Sequence, residues 1–192
     1  MTSILEVEQL DTLSSNASST LTIGGTNTTT IAFGPNVTTT PSSLAVTPAF
    51  HVRLNADQSF SSVTNTKIEF DTEVYDTDNC YDNTTNYRFT PTTAGKYFVY
   101  TVAKFTYSAS TNNNLNLKLR KNGSDYARAN YVEYTNDSNP VISLNVSTIV
   151  DMNGSTDYLE VFGYADSDSP IFDGGGADVD QTYFGAYRMI GL

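Results

Sequence analysis

The stretch NYRFTPTTAGKYFVYTV, residues 86–102, places a Phe, a Pro and a Gly ahead of five consecutive β-forming residues. Pro91 and Gly95 are typical of a turn, whereas the aromatic and β-branched residues after them favour an extended strand. The pattern predicts a turn leading into a long strand over residues 96–107. The rest of the chain must show which all-β architecture contains that strand.

Strand signals recur from residue 48 to the end of the sequence. The chain has 13 Tyr, 10 Phe and no Trp, and Thr, Tyr, Phe and Val suit a pleated, half-buried surface. In LNLKLRK, residues 115–121, leucine alternates with polar residues, and Asn122-Gly123 follows as a hairpin signal. About nine strands separated by short turns predict an all-β sandwich or jelly roll.

Charge and cysteine content exclude several classes of partner. The formal net charge is −11, which repels phosphate backbones, so we expect no nucleic-acid partner. Cys80 is the single cysteine, so no intrachain disulfide forms. The sequence shows neither a secretory signal pattern nor an apolar run of about 18 residues, so we expect synthesis in the cytosol and no membrane insertion.

The composition divides the chain into residues 1–47 and residues 48–192. Residues 12–47 are dominated by Thr, Ser, Asn and Gly, and LTIGGTNTTT is followed by the similar IAFGPNVTTT. Two interpretations stay open for this segment: short strands that are covered only when several chains lie side by side, or a disordered polar linker.

Sites for catalysis are sparse. His51 is the only histidine and has no metal-ligand or catalytic-triad context, so we predict a surface or interface role and no enzyme activity. Carboxylate pairs such as Asp71 and Glu73 are commonplace on strands. The acidic stretch with Asp166, Asp168 and Asp173 has oxygen ligands suited to calcium, the one cofactor considered. The same loop is alternatively a recognition surface, or simply a solvated acidic loop.

Several motifs resemble the globular head of complement C1q and its tumour-necrosis-factor-like relatives. Five residues separate Phe70 from Asp76, and five separate Phe89 from Gly95. PAFHVRL, residues 48–54, looks like the first strand of that family, RKNGSDY, residues 120–126, is similar to its hairpin, and YFGAYRMIGL, residues 183–192, looks like its closing strand.

The resemblance implies a ten-strand antiparallel jelly roll over residues 48–192 that assembles as a homotrimer. In such a trimer, aromatic side chains on one sheet face are buried by the neighbour. The residues that the sequence suggests for trimer packing are Phe50, Tyr97, Tyr100, Phe184 and Tyr187.

Jelly rolls of this type cap bacteriophage fibres, and the Thr/Asn-rich residues 1–47 look like a shaft or anchor. The first interpretation is therefore a structural protein on the virion surface: a capsid decoration protein, head fibre or short tail fibre. Its partners would be other capsid or tail proteins and a host-surface glycan. The alternative is a secreted C1q- or TNF-like lectin or ligand.

Overall fold

A computed structural model describes residues 47–108, 113–133, 141–175 and 179–190 of the chain. These residues form thirteen strands and no helix, so none of them is in a helix able to cross a membrane. The strands are β1 (Ala49–Arg53), β2 (Gln58–Ser59), β3 (Thr66–Lys67), β4 (Thr72–Asp76), β5 (Tyr81–Asp82), β6 (Arg88–Phe89), β7 (Gly95–Ser108), β8 (Asn113–Lys121), β9 (Ser124–Glu133), β10 (Val141–Met152), β11 (Leu159–Asp166), β12 (Asp168–Phe172) and β13 (Tyr183–Arg188).

The strands form two sheets that pack face to face. Sheet A has the order β2-β12-β7-β13-β1-β4, with β10 paired to the other side of β7. Sheet B has the order β5-β6-β11-β8-β9, with β3 paired to β11. Every described strand pair is antiparallel. The predicted all-β jelly roll is therefore confirmed, with several short strand pairs in addition to the long strands.

The long strand predicted from residues 96–107 is β7, and its side chains alternate strictly between the two faces of sheet A. The odd-numbered residues from Tyr97 to Tyr107 are buried, while the even-numbered residues from Phe98 to Thr106 are partly exposed. In β8, Leu115, Leu117 and Leu119 face inward in the same way. Period-2 alternation fixes the register of both sheets, because a slip of one residue would expose every buried side chain.

Aromatic rings fill one end of the space between the sheets. Phe50 has no exposed surface and stacks on Tyr81 at 5.1 Å and on Phe89 at 4.5 Å between ring centroids. Phe184 meets Phe50 edge-on at 4.9 Å. Each such pair contributes about 0.5–1.5 kcal/mol beyond the area it buries. These contacts join β1 and β13 of sheet A to β5 and β6 of sheet B.

The hairpin predicted at Asn122-Gly123 joins β8 to β9. Both residues have positive φ, 52° and 79°, as a two-residue turn between antiparallel strands requires. The Asn122 side chain donates to Asp157 Oδ1 at 2.8 Å and accepts from the Tyr158 backbone N–H at 2.9 Å. The turn is thus attached to the start of β11.

Cys80 is a buried free thiol, as expected for an inert cysteine. Burial, and next the nearby Asp76 carboxylate, raise the pKa of the Cys80 thiol. A raised pKa leaves little of the nucleophilic thiolate at neutral pH.

The predicted N-terminal segment of residues 1–47, with its two similar decapeptides, lies outside the described residues apart from Thr47. One prediction for the acidic stretch is wrong: β11 ends at Asp166 and β12 begins at Asp168, so this part is not a loop. Apolar Ile171 and Phe172 explain the strand, since Phe172 is buried in the core and stacks on Phe60 at 4.1 Å.

Candidate functional site

The outer face of sheet A carries aromatic side chains on neighbouring strands. Strand pairing aligns Tyr187 of β13 with Phe98 of β7, which in turn aligns with Ile149 of β10. The adjacent row aligns Tyr75 with His51 and then, across Gly185, with Tyr100. We call this surface the aromatic face; it comprises His51, Tyr75, Phe98, Tyr100, Ile149, Tyr183 and Tyr187.

Much of the aromatic face is open to solvent in the single chain. Tyr75 is 45% exposed, Ile149 46% and Tyr187 47%. Phe98 lies 5.4 Å from Tyr187 and 6.3 Å from Tyr100 between ring centroids, so the apolar surface is continuous across β13 and β7. A contiguous exposed apolar patch on a sandwich domain usually marks an interaction surface.

Gly185 allows Tyr100 to lie flat across strand β13. A methyl group at Gly185 would come within 2.8 Å of Tyr100 Cε2, and closer still to Cζ and Oη. The missing side chain therefore leaves the space that the Tyr100 ring occupies. Covering a strand glycine with a neighbouring aromatic ring is a known way to stabilise a sheet.

His51 lies at the centre of the aromatic face. Its Nδ1 lies 3.1 Å from Tyr100 Oη and its Nε2 lies 2.9 Å from Asp180 Oδ2. The rings of Tyr75 and Tyr183 lie 6.1 and 5.4 Å from the imidazole. These contacts fix the orientation of the imidazole, so the face is ordered before any partner binds.

Tyr100 is held as a neutral phenol. Burial and next its hydrogen bond with Tyr75 raise the pKa of Tyr100 above its ordinary value. A neutral phenol hydrogen-bonded at its hydroxyl can be covered by another apolar surface without leaving a buried charge. The aromatic face is chemically suited to burial against protein.

The prediction of a role in trimer packing is wrong for three of the five residues. Phe50, Tyr97 and Phe184 are each 0% exposed within the single chain, in the core between the sheets. The physical reason is strand alternation: Tyr97 and Tyr100 are three residues apart, so they must project from opposite sides of β7. Tyr100 and Tyr187 do lie on the aromatic face, and their role in trimer packing stays a prediction.

Four further members of the aromatic face were missed: the aliphatic Ile149 and the aromatic Tyr75, Phe98 and Tyr183. Two have a signal in the sequence, since Phe98 is two residues from Tyr100 and Tyr183 is four residues from Tyr187. An even separation places two residues on the same side of a strand. Tyr75 had no such signal, because a bulge between β1 and β4 sets its position.

The acidic residues proposed for calcium do not form one site. Asp173 lies 2.9 Å from Lys104 Nζ and accepts from Thr106 Oγ1 at 2.9 Å, beside sheet A. Asp166 is exposed at the end of β11 in sheet B, and Asp168 begins β12. Within the described ranges, no three His, Cys, Asp or Glu side chains are grouped to hold a metal ion.

Comparisons with known proteins agree with the fold. No family model and no curated protein sequence matches the chain. Among solved structures, Eiger TNF from S. frugiperda is similar with a TM-score of 0.53 and 11% identity, over 76% of this chain and 94% of that one. Murine APRIL at pH 5.0 is similar with a TM-score of 0.51 and 12% identity, over 75% of this chain and 100% of that one. These similarities define the fold class, a TNF-like jelly roll.

Proposed function

We propose that this chain is a non-enzymatic structural protein of a phage virion that assembles as a homotrimer through the aromatic face. Residues 48–192 form a projecting head, and residues 1–47 attach it to the capsid or tail. The role is that of a capsid decoration protein, head fibre or short tail fibre. The observation that carries the proposal is the continuous, partly exposed aromatic surface on sheet A.

The aromatic face is suited to contact between protein surfaces because most of its side chains are aromatic or aliphatic. The Asp180 carboxylate beside it lies 2.9 Å from His51 Nε2 and 3.7 Å from Arg53 Nη1, so this charge already has partners. Phe98, Tyr187 and Ile149 form one row, and Ser147 continues the row of Gly185 and Tyr100. Burying apolar area contributes about 25 cal/mol per Å² removed from water. A second protein surface over these rows therefore stabilises the assembly without stranding charges.

A closed trimer requires a second, different patch on each chain. Around a threefold axis the contact is heterologous, so the aromatic face of one copy must meet another surface of the next copy. The start of edge strand β10 in sheet A provides exposed apolar surface for one, since Val141 is 51% exposed. Tyr126 Oη of β9 donates to the Ile149 carbonyl at 3.1 Å, which holds the β10 edge in place within the chain.

The virion role is supported by features of the sequence. The chain has one cysteine and therefore forms no intrachain disulfide. Its net charge is −11. The Thr- and Asn-rich residues 12–47 suit an extended segment that several chains cover together. Three heads on one trimer would multiply weak contacts with a host-surface glycan through avidity.

Two charge variants test assembly through the aromatic face by sedimentation velocity of the full chain. We expect wild type to sediment as a trimer and Phe98→Glu as a monomer, because the substitution places a carboxylate within the buried contact. The matched control is Tyr164→Glu, which adds the same charge on the outer side of sheet B and should stay trimeric. Equal sedimentation of Phe98→Glu and wild type would reject the aromatic face as the interface.

Mass spectrometry of purified particles tests the location separately. Peptides of this chain are expected to co-purify with intact virions through a density gradient. Their absence from the particles, together with trimeric protein in solution, would reject the virion role while keeping the assembly.

A further inference from the structure

The outer side of sheet B has a different character from the aromatic face. Strand pairing aligns Lys67 of β3 with Phe162 of β11, Phe162 with Lys118 of β8, and Lys118 with Arg128 of β9. With neighbouring strands about 4.8 Å apart, this row spans about 15 Å. Arg120 is two residues from Lys118 and projects from the same side. We call Lys67, Lys118, Arg120, Arg128 and Phe162 the cationic face.

The cationic face has more positive charge than its own carboxylates neutralise. Lys67 pairs with Glu160. Lys118 and Arg120 share the single carboxylate of Asp125, at 3.6 and 2.7 Å, and the two cations lower the pKa of Asp125. Among the residues that the structure describes, no carboxylate lies within 4.0 Å of Arg128. Four cations therefore face these two carboxylates, and Asp166 adds a third where the same side of β11 ends, on a chain whose net charge is −11.

The Arg120 guanidinium is held in place by its neighbours. It lies 4.1 Å from the centroid of the Phe162 ring, and its Nε donates to Asp125 Oδ1 at 2.7 Å. The described residues accept no hydrogen bond from its two terminal nitrogens. A stacked, tethered guanidinium loses little further freedom when it binds, and its planar fork matches a carboxylate with two parallel N–H donors.

Aromatic and amide side chains extend the cationic face along β11. Tyr164 follows Phe162 on the same side and aligns with Asn116 and then Asn130. Asn116 and Asn130 have amide groups of the kind that hydrogen-bond sugar hydroxyls, and aromatic rings pack on the apolar faces of sugar rings. Tyr158, with Arg88 stacked at 4.6 Å, precedes β11. At about 3.3 Å per residue, Tyr158 and Tyr164 are roughly 20 Å apart, enough for several sugar units.

A shallow groove lies beside Arg128 at the edge of sheet B. Its volume is about 230 Å³, and Asp125, Tyr126, Ala127 and Arg128 line it. This is smaller than the roughly 300–1,000 Å³ of a drug-sized pocket, and it suits one sugar ring with its carboxylate directed at Arg128.

We propose that the cationic face binds a carboxylate-bearing glycan, with Arg120 and Arg128 pairing with carboxylates and Tyr164, Asn116 and Asn130 contacting the sugar rings. The overall charge of −11 opposes a densely charged polyanion such as nucleic acid, whereas the carboxylates of a glycan are spaced by neutral ring atoms. This proposal rests on the proposed function, because it names the class of ligand through which the virion would attach to its host. Because assembly uses sheet A, each trimer leaves three cationic faces exposed.

Binding of three soluble probes to the full chain tests the proposal by calorimetry: oligogalacturonate, neutral dextran and dextran sulfate. We expect oligogalacturonate to bind, with affinity falling as salt rises, and dextran not to bind. Dextran sulfate is expected to bind more weakly, since its densely spaced sulfates are repelled by a chain whose net charge is −11. No binding of oligogalacturonate, or stronger binding of dextran sulfate, would overturn the proposal.

Variants connect the binding to named residues. Arg120→Gln should weaken oligogalacturonate binding about tenfold or more, and Arg120→Lys should weaken it too, because lysine keeps the charge but loses the planar fork. Lys96→Gln removes the same charge from sheet A and should bind as wild type does. If Arg120→Gln and Lys96→Gln, each with wild-type melting temperature, bind like wild type, the proposal is wrong.

The monomeric Phe98→Glu variant separates this proposal from trimer assembly. It should keep the affinity of a single cationic face, measured with a short oligogalacturonate, and lose the avidity seen with a long one. A trimeric wild type that does not bind oligogalacturonate would overturn the glycan site alone. A monomeric wild type that binds would overturn the trimer alone.

Discussion

Tyr97 and Tyr100 belong to the same strand and project from opposite sides of sheet A. Tyr97 is fully buried, and its hydroxyl donates to the Thr93 carbonyl at 2.7 Å. Tyr100 lies on the outer side, where it crosses Gly185 to reach His51. Both sides of this sheet carry aromatic side chains, yet only those on the inner side are fully covered by other residues of the same chain. Aromatic content alone therefore does not distinguish a core from an interface; strand position does.

The largest expected loss of stability comes from a substitution on the inner side of sheet A, in the core. Phe50→Ala removes a ring stacked between Tyr81 and Phe89, and we expect a loss of about 3–5 kcal/mol in the free energy of unfolding. Urea denaturation measures it. The outer-face counterpart is Phe98→Ala, and both substitutions are compared in the background Tyr187→Glu, which we expect to be monomeric for the same reason as Phe98→Glu. If Phe98→Ala lowers the stability of that background as much as Phe50→Ala does, the distinction between the two sides fails.

A smaller effect is expected at Gly185, on the outer side. Gly185→Ala drives the Tyr100 ring off the β13 backbone and should cost about 1–3 kcal/mol. The double variant Gly185→Ala/Tyr100→Ala removes the ring that the methyl group meets. Its loss should therefore be smaller than the sum of the two single losses. Strict additivity would show that the ring and the glycine are not coupled.

The smallest effect concerns the buried hydroxyl of Tyr97. Burial raises the pKa of Tyr97 to about 12, so the folded state keeps the phenol neutral. Because the unfolded phenol titrates near 10, its contribution is present below about pH 10 and is lost as pH rises toward 12. At neutral pH, Tyr97→Phe should lose about 1 kcal/mol with its hydrogen bond.

Urea denaturation of wild type and Tyr97→Phe from pH 7 to 12 checks this. The stability advantage of wild type should shrink between pH 10 and 12, and the buried phenols that both proteins retain cancel in the difference. An advantage that grows in this window would contradict a raised pKa for Tyr97.

Alternation along the strands made most of the fold predictable. The spacing of leucines in residues 115–121, the Asn122-Gly123 hairpin and the β-forming run after Gly95 all give the observed strands. The motifs that resemble C1q and TNF heads gave the architecture. The wrong predictions concern the side of the strand: Phe50, Tyr97 and Phe184 are aromatic like the residues of the aromatic face, but they project toward the core.

The remaining parts of both surfaces depend on which strands become neighbours. Tyr75 and His51 are brought together by a bulged strand pair. Lys67, Phe162, Lys118 and Arg128 come from four strands separated by up to about a hundred residues, and only sheet order aligns them. The period-2 alternation of apolar residues shows on which side of its own strand a residue lies, but it does not show which strand pairs with that strand.

The native mass of the wild-type full chain, measured by light scattering behind a sizing column over a range of concentrations, decides whether the aromatic face is buried by assembly. We expect a concentration-independent mass of three times the 20.9 kDa chain. A mass of 20.9 kDa at every concentration would contradict it, because the aromatic face would then remain open to water in the functional state.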